Sequence, residues 1–579
     1  MAADNATVAA IFDEIADVLE IQSANPFRVR AYRNAARSVR DLGEDLRAIV
    51  AGGMALTEIP GIGEDLALKV QEILDTGGCD FLRRLEKEVP SSVVGLLKVP
   101  GLGPKRVKAL WHDLDVRSVD QLRAAALSQR IRALPGFGEK TESKILEALQ
   151  RMPGERRMKL AVAAQHGEAL AAHLRAAAGI ERVEIAGSYR RMRETVGDLD
   201  LVVVASAYEP VRDRLAHYAD VEAVEASGTT RATVRLKCGL QVDVRVVPHE
   251  SLGAAMVYFT GSKAHNIVIR RLALERGLKL NEYGVFREER RVAGATEESV
   301  YDAVGLPWIP PELREDRGEI EAAASGDLPQ LIEPADLQGD LHVRTRDGDG
   351  ADSLEQMARA ARARGLKYLA IADLAFAPAL GRGLDADALA RQGAQIDRLN
   401  ARVSDFVVLK GVEVEIREDG ALGLPDSVLA TLDVVIAAVH SRFDLSRAKQ
   451  TARLLRALDD PHLHVLAHPL AQHPGDPGQA WEVDMQKVLH RARQRGIALE
   501  LSAHPERGGL SDVHCRMARD ESVRLALCSD ARSRQELELV RFAVGQARRG
   551  WIGREHVLNA QPLEAVRRAV RARTRRARV

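Results

Sequence analysis

The sequence predicts a multidomain α/β protein, and three observations support this fold class. The chain has 579 residues, which is too many for a single hydrophobic core. Apolar residues recur at helical spacing as far as about residue 150, whereas short strands alternate with helical stretches beyond about residue 180. From about residue 337 onward, strands that end in polar residues alternate with helices, a pattern typical of a β/α barrel.

The composition indicates a soluble protein without disulfides or membrane spans. Hydrophobic residues make up 46% of the chain and charged residues 29%, as in ordinary globular proteins. The 83 basic residues balance the 83 acidic ones, so binding to nucleic acid must depend on local patches. The four cysteines follow no disulfide or zinc spacing. Because the N-terminus is acidic and no apolar run reaches about 20 residues, we expect a cytoplasmic protein that does not bind membranes.

A short glycine motif occurs three times in the helical part, each time at the start of a helical pattern. A Gly-x-Gly turn presents free backbone amides at a helix N-terminus, where the dipole favours an anion such as a DNA phosphate. One isolated copy could equally be a tight connection, but three copies resemble helix-hairpin-helix elements, which grip the DNA backbone without reading bases. Lys105 and Lys140 supply cations nearby. The motif glycines are Gly61, Gly63, Gly101, Gly103, Gly136 and Gly138.

Three aspartates form the strongest candidate catalytic site. Asp198 and Asp200 begin an apolar strand, and the strand period of two residues puts them on the same face. Asp243 lies in a later strand and can join them from a neighbouring position. An Asp-x-Asp pair alone could be a solvated strand end, but the preceding Gly187 and Ser188 and the third carboxylate favour a site. Such a cluster needs divalent cations to relieve its repulsion, and two metals could activate a primer hydroxyl and stabilise a leaving pyrophosphate.

These residues and a second segment resemble the family X DNA polymerases, including DNA polymerase beta, over nearly the whole first half of the chain. The second segment reads Tyr-Phe-Thr-Gly-Ser from position 258. In that family a Gly-Ser turn and a following arginine hold the triphosphate, while the second segment lines the sugar and an asparagine contacts the base. The resemblance implies nucleotide binding by Gly187, Ser188, Arg191, Tyr258, Phe259, Gly261 and Asn266. It also implies a template-strand contact by Arg270, whereas Lys263 replaces an acidic residue of DNA polymerase beta.

The N-terminal segment resembles the small lyase domain of the same family. Lys69 follows the Gly63 motif and matches the family's Schiff-base lysine. A partly desolvated lysine can attack an abasic-site aldehyde, although a lone lysine could equally bind phosphate or be solvated. Because Arg28 and Asp65 replace lysines of DNA polymerase beta, the departures argue against sugar-phosphate lyase activity.

The last part of the chain resembles the polymerase and histidinol phosphatase (PHP) domain of many bacterial family X enzymes. In intact members, strand-end His, Asp and Glu residues bind up to three metals that activate water against a phosphodiester, which gives 3'-5' exonuclease activity. The positions that match this pattern are His342, Asp349, Glu413, His440, His468 and Asp530.

Three positions depart from the PHP pattern. Arg344 and Arg532 replace histidines, and Leu374 follows an aspartate where a histidine is expected. Neither arginine nor leucine can donate a lone pair to a metal. We therefore expect at most one weak metal site. Our hypothesis is that Arg344 and Arg532 put guanidinium charges where metals would lie, paired with the remaining carboxylates.

The sequence thus predicts a monomeric DNA polymerase that fills short gaps in DNA repair, such as base excision repair. It would act on gapped or nicked duplex with deoxynucleoside triphosphates and Mg²⁺ or Mn²⁺. A repair nuclease (3'-5' exonuclease or AP endonuclease) that acts through the barrel is the alternative, and the three departures argue against it. A nonenzymatic DNA-binding scaffold is the third candidate, and the intact aspartates argue against it. The arginine run at 567–578 is either a frayed, solvated helix or a DNA-contacting tail.

We expect six segments along the chain. They are a helical lyase-like domain at 1–88, a helix-hairpin-helix region at 89–155, a nucleotidyltransferase palm at 156–250, a nucleotide-selecting subdomain at 251–316, a linker at 317–336 and a PHP-like barrel at 337–579.

Overall fold

The computed structural model describes residues 5–576, apart from positions 23, 42–45, 52–53, 60, 100–101, 152–156, 229, 379, 471, 474–475, 481 and 506–508. The chain divides into two compact units, Met1–Arg156 and Arg157–Val579. Each unit has its own hydrophobic core. Every helix in the described part is too short or too polar to be a transmembrane segment.

The first unit is helical throughout its described residues. Its first two helices bury Phe12 and Tyr32, whose rings meet edge to face with centroids 5.7 Å apart. These apolar residues recur at helical spacing, so one face of each helix enters the core. The helices are Asn5–Ile21, Pro26–Asp41, Leu46–Ala51, Glu64–Thr76, Asp80–Glu88, Ser91–Val94, Pro104–Leu114, Val119–Leu127 and Glu139–Arg151.

The second unit begins with a five-stranded sheet whose strand Asp198–Ala205 is buried on both faces. Strand Asp198–Ala205 packs Leu199, Leu201 and Val203 into one core cluster, whereas Val202 and Val204 enter another. The two central strands run parallel, and the other neighbours are antiparallel. Only the polar start of this apolar strand therefore approaches solvent. The strand order is Ile180–Ile185, Asp198–Ala205, Gln241–Val247, Arg231–Leu236 and Val221–Ser227, and helices Leu160–Arg175, Gly187–Arg190 and Glu209–Ala216 accompany it.

A smaller α/β layer follows. Its core contains Ile269, Val285 and Tyr301, which are fully buried. Ser262 caps the second helix, since its hydroxyl accepts a hydrogen bond from the backbone N–H of His265 at 3.2 Å. The layer comprises helices Leu252–Thr260, Lys263–Glu275 and Glu297–Ala303 and an antiparallel sheet of strands Lys279–Asn281, Gly284–Arg287 and Arg290–Ala293.

Residues 317–336, which we expected to form a linker, are packed into the second unit. Ile320, in helix Glu319–Ser325, joins the core of the preceding layer. The backbone N–H of Ile332 donates to the carbonyl of Ile552 at 2.9 Å. Gly318 and Gly326 have φ values of 99° and 81° and bound the helix as caps. Both glycines therefore cap a packed helix.

The predicted β/α barrel is confirmed as a nearly closed, parallel, seven-stranded sheet. An isolated bridge from Val343 to Ala531 brings the chain after the last strand beside the first. Gly339 lies against the ring of Tyr368, where a Cβ would overlap the ring. The strands, in spatial order, are Gly339–Val343, Tyr368–Ile371, Val407–Glu415, Val434–Ala438, Val465–Leu466, Ala498–Ser502 and Leu525–Cys528.

Helices surround the barrel strands. The main ones are Leu354–Ala363, Ala386–Asn400, Arg447–Asp459, Met485–Arg495, Asp512–Asp520 and Val540–Arg549. Helix Leu563–Arg576 contains the arginine run as far as Arg576, and its Val566 is buried in the barrel core. The start of this helix is therefore docked on the barrel.

Candidate active sites

The three predicted catalytic aspartates lie together at the start of the central palm strands. Asp200 is directly opposite Asp243 in the parallel register, and Asp198 shares the face of Asp200. The hydroxyl of Thr233 donates a hydrogen bond to Asp243. The side-chain amide of Gln241 donates to Asp243 Oδ2 at 3.0 Å. These donors orient the Asp243 carboxylate, and the strand pairing places it beside Asp200.

The acidic cluster has the electrostatics of a cation site. Burial, together with the charges of Asp198 and Asp243, raises the pKa of Asp200 to about 7. Within the described part of the chain, none of these three carboxylates takes part in an ion pair with a basic side chain. Oxygen ligands of this kind suit hard divalent cations such as Mg²⁺ and Mn²⁺. The residues present therefore fit a divalent metal.

The turn at Gly187 and Ser188 lies against this cluster. Gly187 has a φ of 63°, and a Cβ there would overlap the Asp200 carboxylate. Only glycine fits such a close approach in this conformation. The Ser188 hydroxyl is buried and has no hydrogen-bond partner among the described residues. A buried hydroxyl without a partner is costly, and this one follows the glycine that contacts Asp200, so it suits a ligand that carries oxygen atoms of its own.

Arg191, a predicted triphosphate ligand, is engaged by protein groups in the structure. Its Nε lies 3.1 Å from Glu315 Oε1, and its Nη1 donates to the carbonyl of Thr260. Gly261 makes room for this guanidinium, because a Cβ there would lie 3.1 Å from Arg191 Nη1. Direct triphosphate contact by Arg191 stays a prediction.

The other predicted nucleotide and template residues gather around helix Leu252–Thr260. The side-chain amide of Asn266 donates to the carbonyl of Tyr258 at 2.8 Å. The Arg270 guanidinium lies over the Tyr258 ring, 4.9 Å from its centroid, and the rings of Tyr258 and Phe259 meet at 4.9 Å. These contacts hold the aromatic pair in place, and the proposed substrate roles stay predictions.

The repeated glycine turns of the first unit differ in their surroundings. Gly63 and Gly103 are the N-caps of helices Glu64–Thr76 and Pro104–Leu114, and Gly138 precedes helix Glu139–Arg151. Acidic residues occupy the first turn of the first and third of these helices, whereas the second has none and carries exposed Lys105. Since carboxylates there repel a phosphate, the second turn opposes an anion least, and phosphate binding by the three turns stays a prediction. Gly61 and Gly136 have φ values of 85° and 80°, Lys140 is exposed, and Gly101 lies outside the described residues.

Lys69, the predicted lyase lysine, is paired in the structure. Its Nζ donates to Asp65 Oδ1 at 2.5 Å and lies 5.5 Å from the centroid of the Phe81 ring. A nucleophilic amine needs a free lone pair, which an ammonium group in an ion pair with a carboxylate does not have. Asp65, which departs from DNA polymerase beta, therefore competes with a lyase role for Lys69.

A second acidic cluster lies inside the barrel, at the carboxyl ends of its strands, and Arg344 is in its centre. The Arg344 side chain is fully buried. Its Nε donates to Asp530 Oδ1 at 2.8 Å and its Nη1 to Asp349 Oδ1 at 3.0 Å, while Nη2 donates to Glu413. The Arg344 guanidinium thus pairs with the remaining carboxylates, as the sequence hypothesis expects. Arg532 is more distant, with its Nε 3.8 Å from Asp349 Oδ2.

Arg344 dominates the electrostatics of this cluster. Burial would raise the pKa of Glu413, but the Arg344 guanidinium and His440 hold that pKa well below its usual value. His440 Nε2 lies 3.2 Å from Glu413 Oε1. The Glu413 carboxylate is therefore ionised and neutralised by the protein itself.

One member of this cluster was missed in the sequence. Glu500, in strand Ala498–Ser502, accepts a hydrogen bond from His342 Nδ1 at 2.7 Å and lies 3.6 Å from His468 Nε2. These three buried side chains could together hold one metal ion. A single glutamate within an apolar strand is a sequence signal for a functional residue, because buried acids are paired or bind metals.

At position 374, where the PHP pattern has a histidine, the surrounding side chains make contacts within the protein. The preceding Asp373 accepts hydrogen bonds from Thr345 and, at 2.7 Å, from the amide of Gln392. Leu374 itself is buried and bridges Glu413 through its backbone. This side of the barrel mouth therefore offers fewer metal ligands than the PHP pattern requires.

Known proteins similar to this chain decide the family. The DNA polymerase/3'-5' exonuclease PolX of Bacillus subtilis (strain 168) is 36% identical over 561 residues, which span 96% of this chain and 97% of that protein. The chain belongs to the family X DNA polymerases. DNA polymerase lambda of Rattus norvegicus is 28% identical over 44% of this family X polymerase and 48% of its own length.

Segment matches agree with the architecture of a family X polymerase. The DNA polymerase beta thumb family matches residues 255–315, a helix-hairpin-helix domain matches residues 3–79, and a SAM-like helix-hairpin-helix tandem matches residues 94–151. A probable phosphatase of Thermoanaerobacter sp. (strain X514) is 29% identical over 33% of this chain and 78% of its own length. Family X polymerases are metal-dependent enzymes.

Proposed function

We propose that this protein is a DNA-directed DNA polymerase that fills short gaps in duplex DNA during repair. The observation that carries the proposal is the acidic cluster of Asp198, Asp200 and Asp243 beside the turn of Gly187 and Ser188. The cluster lacks a cation of its own among the described residues, and the turn offers a buried hydroxyl. Carboxylates next to a triphosphate cradle are what nucleotidyl transfer requires.

Each group then has a defined task. Two Mg²⁺ or Mn²⁺ ions held by the aspartates would lower the pKa of the primer 3'-hydroxyl and neutralise charge on the triphosphate. Asp243, oriented by Thr233 and Gln241, keeps the carboxylates converged on one point. The Ser188 hydroxyl would donate to a phosphate oxygen, and the adjacent Gly187 lets the Asp200 carboxylate lie against the same turn.

Further features support DNA and nucleotide as the substrates. The N-terminus of helix Pro104–Leu114, with Lys105, would bind a backbone phosphate without reading sequence. Tyr258 and Phe259, stiffened by Asn266 and Arg270, would line the sugar and base of the incoming nucleotide. We propose that the protein works as a monomer in the cytoplasm, consistent with its four free cysteines.

A primer-extension assay tests the proposal. The full chain is incubated with gapped duplex, deoxynucleoside triphosphates and Mn²⁺, alongside Asp243→Ala and the control Glu209→Ala, which removes an exposed palm carboxylate. Asp243→Ala should lose extension by at least about 100-fold, because several kcal/mol of charge stabilisation disappear. The control should extend like the wild type. A wild-type chain that never extends the primer would refute the function.

We propose that the barrel has no exonuclease activity. The support is the fully buried Arg344, which is hydrogen-bonded to three of the carboxylates that would bind metals. The second candidate function, a repair nuclease, is favoured by one observation, the residual grouping of His342, His468 and Glu500. Shortening of a matched 3' end by the purified protein, abolished by Asp349→Ala, would establish the nuclease and contradict this part of the proposal.

A further inference from the structure

The turn that follows Gly187 and Ser188 is held from outside the palm sheet through three consecutive side chains. The Tyr189 hydroxyl donates to Glu168 Oε1 at 2.6 Å. Arg190 makes two hydrogen bonds to Glu297, at 2.7 and 2.8 Å. Arg191 pairs with Glu315 at 3.1 Å. The backbone that carries Ser188 is therefore tethered by three carboxylates, none of which touches the acidic cluster directly.

Two of these three carboxylates are themselves held by the barrel helix Val540–Arg549. Arg541 forms a bidentate pair with Glu168, at 2.8 and 3.0 Å. Arg549, at the other end of the helix, contacts Glu315 at 2.9 Å. The barrel thus reaches the turn through one intermediate carboxylate at each end of the helix.

Arg549 also touches the turn directly. Its Nη1 donates to the carbonyl of Arg191 at 2.8 Å, and its Nη2 lies 2.6 Å from Asp512 Oδ2. Between the two arginines, Gly545 packs against Met192, the next residue of the turn, where a Cβ would lie 2.6 Å from Met192 Cγ. The helix therefore fits the turn closely along its length.

The burial of these contacts makes them energetically important. The Arg549 side chain is 2% exposed, and those of Glu315 and Asp512 are each 12% exposed. Removal of one partner from such a buried network leaves an unpaired charge, which destabilises the fold far more than loss of a surface ion pair does. The turn would have to shift to let water or another group reach Glu315.

We propose that Arg549, assisted by Arg541, is a positioning residue for nucleotide binding: the barrel helix Val540–Arg549 holds the turn of Ser188 in the geometry that receives the triphosphate. This inference rests on the proposed polymerase function. It gives the barrel a task in DNA synthesis that is independent of any metal at Arg344. The same helix provides the internal control, because Arg548 ties the barrel to Glu312 and Glu333 and does not contact the turn.

Steady-state single-nucleotide extension by the full chain on gapped duplex tests the inference. Arg549→Met should raise KM for the incoming nucleotide at least about 10-fold, because displacements near 1 Å in a positioned site can cost about 100-fold. The Kd for gapped DNA should stay unchanged. Arg548→Met removes a barrel ion pair of similar burial and should leave KM within about 2-fold of wild type. Arg549→Lys, which retains the charge, should recover part of the loss.

The results of this assay distinguish failure of the positioning role from failure of the polymerase function. If the wild type does not extend a primer, the proposed function fails. If the wild type extends and Arg549→Met has the KM of Arg548→Met, the positioning role is wrong. Should Arg549→Met fail to fold, Arg541→Met decides, since the Arg541 side chain is 37% exposed and its loss is better tolerated. That variant should raise the nucleotide KM about 3-fold, and an unchanged KM would overturn the inference.

Discussion

The palm and the barrel each gather carboxylates at the ends of parallel strands, yet they neutralise them in opposite ways. In the palm, Asp198, Asp200 and Asp243 face one another, and the pKa of Asp200 rises to about 7 because of burial and its acidic neighbours. In the barrel, burial is outweighed by Arg344, so the pKa of Glu413 is held well below its usual value. The palm cluster can bind a cation from solution, whereas the barrel cluster already contains the Arg344 guanidinium as its cation.

The difference teaches that an acidic cluster alone does not define a metal site. Like charges held together raise the energy of the metal-free fold, and a bound cation recovers that energy. A buried guanidinium that makes hydrogen bonds to the same carboxylates removes the need for a metal and occupies its space. The decisive observation is therefore the charge partner of each carboxylate.

The largest expected effect concerns removal of the internal cation. Arg344→Ala should lower the unfolding free energy by about 3–5 kcal/mol, because it removes the buried guanidinium that donates hydrogen bonds to Glu413 and Asp530. Urea denaturation of the full chain measures this loss. Arg382→Ala is the control, since Arg382 approaches the same Asp349 at 3.6 Å but is 53% exposed, and should change stability by less than about 0.5 kcal/mol. Equal effects in both variants would contradict a central role for Arg344.

Much of this contrast could be predicted from sequence, because strand periodicity is local. The spacing of Asp198 and Asp200, with Asp243 in a second strand, was enough to expect one cluster. The sequence also shows that Arg344 replaces a histidine of the PHP pattern, and arginine cannot ligate a metal. The roles of these residues remain predictions, although their grouping is now a structural fact.

Other features could not be predicted, because they depend on contacts between distant segments. The strand of Glu500 marks it as a buried acid, but it does not reveal the partner His342, which lies 158 positions away. The pairing of Arg549 with Glu315 joins residues 234 positions apart, and nothing local marks it. The prolines and Gly326 of the segment at 317–336 favour a linker, whereas burial of Ile320 and Leu331 decides its packing.

The next expected effect concerns stabilisation by metal. At a free Mn²⁺ concentration 100-fold above its Kd, binding to the folded state should add about 2.7 kcal/mol to the unfolding free energy. The gain should vanish in Asp243→Ala and persist in Asp349→Ala, and denaturation with and without Mn²⁺ measures both. A gain that survives Asp243→Ala but disappears in Asp349→Ala would mean that the barrel holds the metal and would reverse the comparison.

The smallest expected effect is also the sharpest, because the two clusters should respond with opposite signs to the same chemical change. In metal-free protein at pH 8, Asp200→Asn should raise the unfolding free energy by about 1–2 kcal/mol, since it removes a charge that two neighbours repel. Glu413→Gln should instead lower it, because the Arg344 guanidinium loses a compensating partner inside the barrel. Saturating Mn²⁺ should cancel the gain of Asp200→Asn, because the wild type recovers its repulsion energy on binding metal. If both substitutions stabilise, Arg344 does not neutralise its cluster; if both destabilise, the palm carboxylates are compensated by groups of the chain.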